Sequence, residues 1–333
     1  MIKYIIKRIL IAIPVIWGIV TIVFVLMRVF SANPAYLLLG QHATAERAAE
    51  LTAYLGLDQP IWKQYMIYLG QLLHGDLGRS LFTKRPVLYD ILERMPATIE
   101  LAVFSVFMSS IIGVLLGVVC AVKQNSALDR FLQVTGLTGI SLPRFWLGLM
   151  LIIALAVHAK VLPVSGRYDI LNQPESITGF MLIDSVISLN WGAFVNTLRY
   201  LFLPALTIAV ASIGSFMRYT RSTMLEVIRQ DYIRTARAKG VPESRVVSRH
   251  ALKNALIPVV TIIGMELGGL FTGSVLTETI FAWPGVGQYI VNGINNSDYA
   301  VVQGGCMLVA VISVFMNLII DILYGYLDPR IRY

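Results

Sequence analysis

Charged residues make up only 14% of this 333-residue chain, and their signs are uneven, with 19 Asp and Glu against 27 Lys and Arg. Cysteine is scarcer still. Cys120 and Cys306 each fall inside a long apolar run, far from a second Cys or a His at ligand spacing, so neither a disulfide framework nor a zinc site is indicated. His42, His74, His158 and His250 are dispersed along the chain, and no Ser-His-Asp or Cys-His grouping follows from spacing. A phosphate loop of the form G-x-x-x-x-G-K-S/T is missing, which removes a backbone cradle for nucleotide. The net charge of +8 does not indicate nucleic acid, because the basic residues lie beside apolar stretches without interleaved aromatics on a polar face.

Apolar sequence is what the chain has in abundance. Hydrophobic residues make up 56% of it and the mean hydropathy is +0.71, too apolar for an ordinary soluble domain. The bilayer is the expected solvent. Six near-continuous apolar runs, Ile9 to Met27, Leu101 to Val122, Phe131 to Ala159, Leu201 to Met217, Ala255 to Thr277 and Val301 to Ile320, can each cross the roughly 30 Å hydrocarbon layer as a helix. In lipid every backbone polar group must be satisfied within the segment, so the α-helix is the form these runs can take. The first run covers 19 residues after Lys3, Lys7 and Arg8, longer than a signal-peptide core, and is read as a retained span.

Charge placement orients the spans. With a cytoplasmic start, the inside loops 1–8, 123–130, 218–255 and 327–333 hold three, two, nine and two Lys and Arg, and the short outside loops 157–200 and 281–300 hold three and none. A seventh span within 177–195, which carries Asp184, Asn190 and two glycines, would put the nine-charge loop outside, so that stretch is expected to be an interfacial helix or loop. The expected fold class is all-α integral membrane with six transmembrane helices and both termini cytoplasmic. The divisions are 1–30 for the first span, 31–98 for an outer (periplasmic) helical segment, 99–326 for a five-helix core, and 327–333 for a tail. The outer segment carries helix signals at Thr44 and Pro60, and GDLG at 75–78 marks a turn.

The loop 218–255 is the most informative stretch. On a continuous helix, Met224, Leu225, Ile228, Tyr232 and Ala236 fall within about 120° of one another, while Arg221, Arg229 and Arg237 share another face. Gly240 is the expected C′ residue, Pro242 enforces the stop, and Glu243-Ser244 opens a second helix. The result is a helical hairpin between two spans, which could grip a partner or anchor to anionic lipid.

The string YIRTARAKGVPESRVVSRHALKNALIPV resembles the coupling loop of permease subunits of binding-protein-dependent ABC importers, in their peptide and nickel branch. Matching outward from Gly240, Arg234 takes the family's acidic position and Thr235 and Ala236 its two alanines, so an acidic contact is not expected here. LGLDQPIWKQY, GDLGRS, RMPATIEL, TETIFAWPGVGQYI and DILYGYLDPRIRY extend the resemblance along the chain, and SITGFMLIDS resembles dipeptide permeases. Ala32-Asn33-Pro34 departs from the usual Gly-Asp-Pro and removes an outer carboxylate. The resemblance implies a type I ABC importer transmembrane fold and a complex in the bacterial inner membrane. Its partners would be a homologous second permease subunit, two ATPase subunits holding ATP and Mg, and an extracytoplasmic substrate-binding protein. This chain itself would hold no cofactor and perform no chemistry. The substrate would be a short peptide, with a dipeptide the first expectation and a longer peptide, nickel, glutathione or haem the alternatives this branch carries.

On that reading Met224, Ile228, Tyr232, Arg234, Thr235, Ala236, Arg237, Gly240 and Glu243 form the coupling surface. The apolar stripe and the turn are expected to transmit force, while the arginines set sidedness. Gly113 and Gly117, and Gly264, Gly268, Gly269 and Gly273, permit close helix packing, internally or against the second permease. Charges at membrane depth are costly, so Arg144, Glu266, Glu278 and Asp321 need partners or water. Arg144 and Glu266 are candidates for the substrate path, while Glu278 and Asp321 are expected to face headgroups or a neighbour. A stand-alone ion-coupled carrier using Glu266, Glu278 and Asp321 is the competing reading.

Overall fold

The computed structural model describes residues 2–29, 44–54, 56–271 and 274–327. Among the described residues the regular secondary structure is helical, joined by turns and irregular loops, with an isolated bridge between Arg79 and Pro86. Five helices are long and apolar enough to cross a membrane: α1 (Ile2–Val29), α4 (Val87–Val122), α8 (Trp191–Ile228), the segment Glu243–Leu270 that ends in α11 (Leu252–Leu270), and α14 (Tyr299–Leu327). The third apolar run is not one straight rod. Helix α5 (Ala127–Ser141) and helix α6 (Arg144–Leu151, continued as a π-helix to His158) meet at 104°. Pro143 explains the break, because it cannot donate a backbone bond and holds Leu142 extended at φ −73°, ψ 132°. Counted as one broken span, the pair brings the total to six.

Two helices outrun their apolar runs. Helix α4 starts fourteen residues before Leu101 and passes through Pro96, crossing the expected boundary at 98. Helix α8 takes in Trp191 at one end and continues to Ile228 at the other. The 177–195 stretch therefore divides, with Met181–Ile187 forming the short α7 and its last residues opening α8; it makes no seventh span. In the outer segment, α2 (Ala45–Tyr54) starts where Thr44 accepts the Arg47 N–H, and α3 (Ile61–Leu73) starts after Pro60. Helix α3 braces the first and last spans, burying Tyr68 against Val20, Phe24 and Met307.

The α4–α8 pair is the spine of the bundle. Near one end Ala97, Leu101 and Ala102 pack on Leu201, Ala205 and Ile208, with Trp283 filling the gap. Farther along, a Cβ on Gly113 would lie 2.7 Å from Phe216 Cβ, and one on Gly117 would lie 2.7 Å from the Met217 carbonyl oxygen. These two glycines pack within the chain. Close backbone approach replaces the hydrophobic drive that helices lack in lipid. The same device joins α5 to α8, where a Cβ on Gly214 would come within 2.4 Å of the Gly136 carbonyl oxygen. Because that oxygen is backbone, Gly214→Leu should destabilise the chain by about 3 kcal/mol or more through overpacking. Gly264→Ala, whose Cβ would meet nothing within 4 Å, should leave the melting midpoint in detergent unchanged. Equal midpoints for the two variants would contradict this packing.

Candidate functional site

The basic hairpin is a folded body keyed to three spans. Helix α8 ends at Ile228, Gln230 is extended (φ −71°, ψ 149°), and α9 (Asp231–Ala238) restarts with a new rotational phase. The continuous stripe expected from Met224 to Ala236 is thereby broken. Met224, Ile233 and Ala236 are buried together with Ala121 of α4 and with Val246, Ala251 and Ala255 on the returning segment, while Ile228 packs at the margin. Tyr232, expected on that stripe, is 44% exposed and accepts a hydrogen bond from Asn254. The residue that takes its inward place is Ile233. Met224 and Ala236 thus fasten the hairpin to the bundle, and Tyr232, Arg234 and Thr235 stay on its exposed face.

The turn follows the expectation in detail. Gly240 has φ +73°, its N–H donates to the Arg237 carbonyl, and the Val241 N–H donates to that of Ala236, the two bonds of a Schellman motif. Arg237 clamps the turn through two hydrogen bonds to Glu243, Nε to Oε2 at 3.0 Å and Nη2 to Oε1 at 2.6 Å. Glu243 opens the short α10 (Glu243–Arg245), which continues as a π-helix over Val246–Ala251 into α11. The expected shared face of Arg221, Arg229 and Arg237 does not form. Arg221 instead makes two 2.8 Å bonds to the buried Asp129, tying the start of α5 to α8. Arg229, Arg234, Lys239, Arg245 and Arg249 remain exposed around the hairpin, a basic rim on an apolar root.

Within the bundle the structure brings the two candidate path residues together. Arg144, the first residue after the Pro143 bend, lies 3.5 Å from Glu266 Oε1 on α11, and the same oxygen accepts the Ser212 hydroxyl of α8 at 2.7 Å. The bend converts Arg144 from a mid-span cation into a residue at a helix start, facing α8 and α11. The side chains of Arg144 and Glu266 are 43% and 31% exposed, so the pair closes one side of its own charge and leaves the other open. On α11, Gly268 is buried, whereas a Cβ on Gly264 or Gly269 would meet open space. Gly273 and His42 fall outside the described residues, as does the side chain of Asp321.

The end of the bundle beside α7 holds buried charge, and two of its residues, Arg167 and Glu100, carry no local signal in the sequence. Arg167 and Glu100 form a buried pair at 2.6 Å, Arg167 also donates to the Gly179 carbonyl and lies 5.7 Å from the Trp283 ring centre, and Glu100 accepts the Leu182 N–H. Asp184 is buried and accepts from the Thr178 hydroxyl and the N–H groups of Ile177, Thr178 and Gly179. Burial alone would raise its carboxyl, but those hydrogen bonds outweigh it and hold the group below the usual range. Glu278 does not face headgroups. It is fully buried, accepting from Thr98 and the Gln288 N–H, and burial pushes its carboxyl above the ordinary range. Trp283, between α12 (Val275–Ile280) and α13 (Val286–Asn295), completes the seam by donating to the Ala97 carbonyl. Among the described residues no cluster of His, Cys, Asp and Glu could hold a metal ion.

The bundle of apolar spans with a docked basic hairpin is the architecture of a multi-pass membrane protein. The chain belongs to the family described as the binding-protein-dependent transport system inner membrane component, matched over residues 113–333, and residues 1–102 match that family's N-terminal region. It is similar to the di/tripeptide transport system permease protein DppB of Pseudomonas aeruginosa, with 43% identity covering 100% of this chain and 99% of the relative. The dipeptide transport system permease protein DppB of Escherichia coli K12 is 42% identical over the same shares, and the oligopeptide transport system permease protein AppB of Bacillus subtilis is 38% identical over the full length of both chains. The chain is a multi-pass permease component of such a system, with the type I importer fold that the family carries.

Proposed function

We propose that this chain is one of two homologous permease subunits in an ATP-driven importer of dipeptides, with both termini and the 218–255 hairpin in the cytoplasm. The observation that carries this reading is the hairpin itself: an exposed α9 face whose root, Met224, Ile233, Ala236 and Val246, is buried against α4, α8 and α11. A partner that moved α9 would move three spans as one rigid body, which is how nucleotide-driven closure becomes alternating access. ATP and Mg belong to two ATPase subunits, and an extracytoplasmic binding protein delivers the substrate. The dipeptide assignment rests on full-length similarity to permeases named for dipeptides.

Arg144 and Glu266 line the path in this reading. Their open sides offer a cation and an anion at close range, matching the two termini of a zwitterionic peptide, and Ser212 holds the carboxylate in place. Arg144→Met and Glu266→Gln should each lower dipeptide uptake into right-side-out membrane vesicles loaded with ATP by about tenfold at equal expression, the loss of one charge-assisted contact. Wild-type uptake by both would contradict a path role. An ion-coupled carrier using Glu266, Glu278 and Asp321 as proton sites would instead transport without ATPase subunits. Proteoliposomes containing this chain alone should show no uptake under a proton gradient.

A further inference from the structure

A cavity of about 280 Å³ opens between the end of α1, helix α3, the loop at 76–81 and the start of α14. Its wall includes Arg28, Tyr68, Asp76, Arg79, Tyr299 and Gln303. Three buried polar atoms there, Arg28 Nε, Tyr68 Oη and Gln303 Nε2, have no hydrogen-bond partner. Tyr68 and Gln303 lie side by side, each only 8% exposed, and Gln303 is near enough to act on the Tyr68 hydroxyl, but Tyr68 Oη and Gln303 Nε2 do not reach hydrogen-bond geometry with each other. Buried polar atoms are almost always paired, so three orphans converging on one cavity mark a place built for something else. Two of them are N–H donors, one on a guanidinium, the third is a hydroxyl, and Arg79 adds a second cation. That set asks for an acceptor-rich anion.

Depth identifies its source. Arg28 is the last residue of the Arg8–Arg28 span and Tyr299 the first of the Tyr299–Ile319 span, so the cavity sits where two adjacent spans leave the hydrocarbon on one side. The Arg28 guanidinium lies 5.6 Å from the Tyr299 ring centre and 6.0 Å from that of Phe24, held by aromatic faces at the level where phospholipid phosphates lie. We infer that this cavity binds the phosphate of a membrane phospholipid, with Arg28, Tyr68 and Gln303 donating to its oxygens and Arg79 balancing its charge. Asp76, whose Oδ1 accepts the Gly78 N–H, stands on the same wall and can face the polar end of the headgroup. The bound lipid would brace α3 against the first and last spans. This inference does not depend on which substrate the transporter carries.

The test uses the full-length chain, stripped of lipid in uncharged detergent and followed by its melting midpoint. Dihexanoyl phosphatidylglycerol should raise the midpoint, and dihexanoylglycerol, which lacks the phosphate, should not. Arg28→Leu and Gln303→Leu should each weaken the half-saturating concentration by about tenfold or more, the scale of a lost charge-assisted or buried hydrogen bond. Arg79→Ser, at an exposed position, should weaken it by less, and Arg47→Ser on the exposed face of α2 should leave it unchanged. An equal response to dihexanoylglycerol, or to inorganic phosphate in place of the lipid, would overturn the lipid assignment. So would a response that survives unaltered in Arg28→Leu, Gln303→Leu and Arg79→Ser.

Discussion

Ile233→Asp should abolish ATP-driven uptake, to below about 1% of the native rate, while the chain still inserts. Ile233 is fully buried among Met224, Ala236 and Val246, and truncating such a side chain alone costs about 2–5 kcal/mol. A carboxylate there would also lose its hydration without gaining a partner, so the hairpin would undock rather than bury the charge. Tyr232→Asp, one residue away, puts the same charge on an exposed face and should leave the hairpin docked. Protease sensitivity of the 218–255 loop separates the two: Ile233→Asp should expose it to cleavage and Tyr232→Asp should not. Uptake by Ile233→Asp within twofold of native would show that the apolar root does not carry the coupling.

The second large effect lies at the other end of the bundle. Arg167→Met should lower stability by about 3–5 kcal/mol, because it strands the Glu100 carboxylate, only 4% exposed, without its cation. Adding Glu100→Gln should recover most of the loss, since a neutral amide still accepts the Leu182 N–H and no longer needs a counter-charge. The pair fastens the 160–190 loop to α4 and places Trp283 over the α4–α8 core. Melting midpoints of the single and double variants in detergent test this directly. A single variant as stable as the native chain would mean that water or relaxation already satisfies Glu100.

Much of the architecture was legible because its signals are local. Apolar run length marks the spans, Thr44 and Pro60 mark the outer helices, and Gly240 with Pro242 marks the turn that the structure closes with a Schellman motif. What was not legible depends on residues far apart in the chain. Nothing near Arg221 announces Asp129, and nothing near Arg167 announces Glu100, so both arginines read as loop charges although each is half of a buried or partly buried pair. The same holds for Gly136 and Gly214, which share no motif spacing yet touch across α5 and α8. The stripe from Met224 to Ala236 failed for a related reason. Periodicity assumes one unbroken helix, whereas packing Ile233 against α4 and α11 resets the phase at Gln230. Pro143 did carry a visible signal for the bend, but the apolar run continues through it and length outweighed the breaker.

If an ATPase subunit reads the exposed face of α9, cross-linking from that face will capture it. In a background where buried Cys120 and exposed Cys306 are replaced by Ser, cysteines are introduced one at a time by Arg234→Cys, Thr235→Cys and, as a control at the other end of the bundle, Leu171→Cys. Membranes containing the whole transporter should yield a cross-link to an ATPase chain from positions 234 and 235, altered in yield by nucleotide, and none from 171. No ATPase adduct from 234 or 235, or the same adduct from 171, would contradict it.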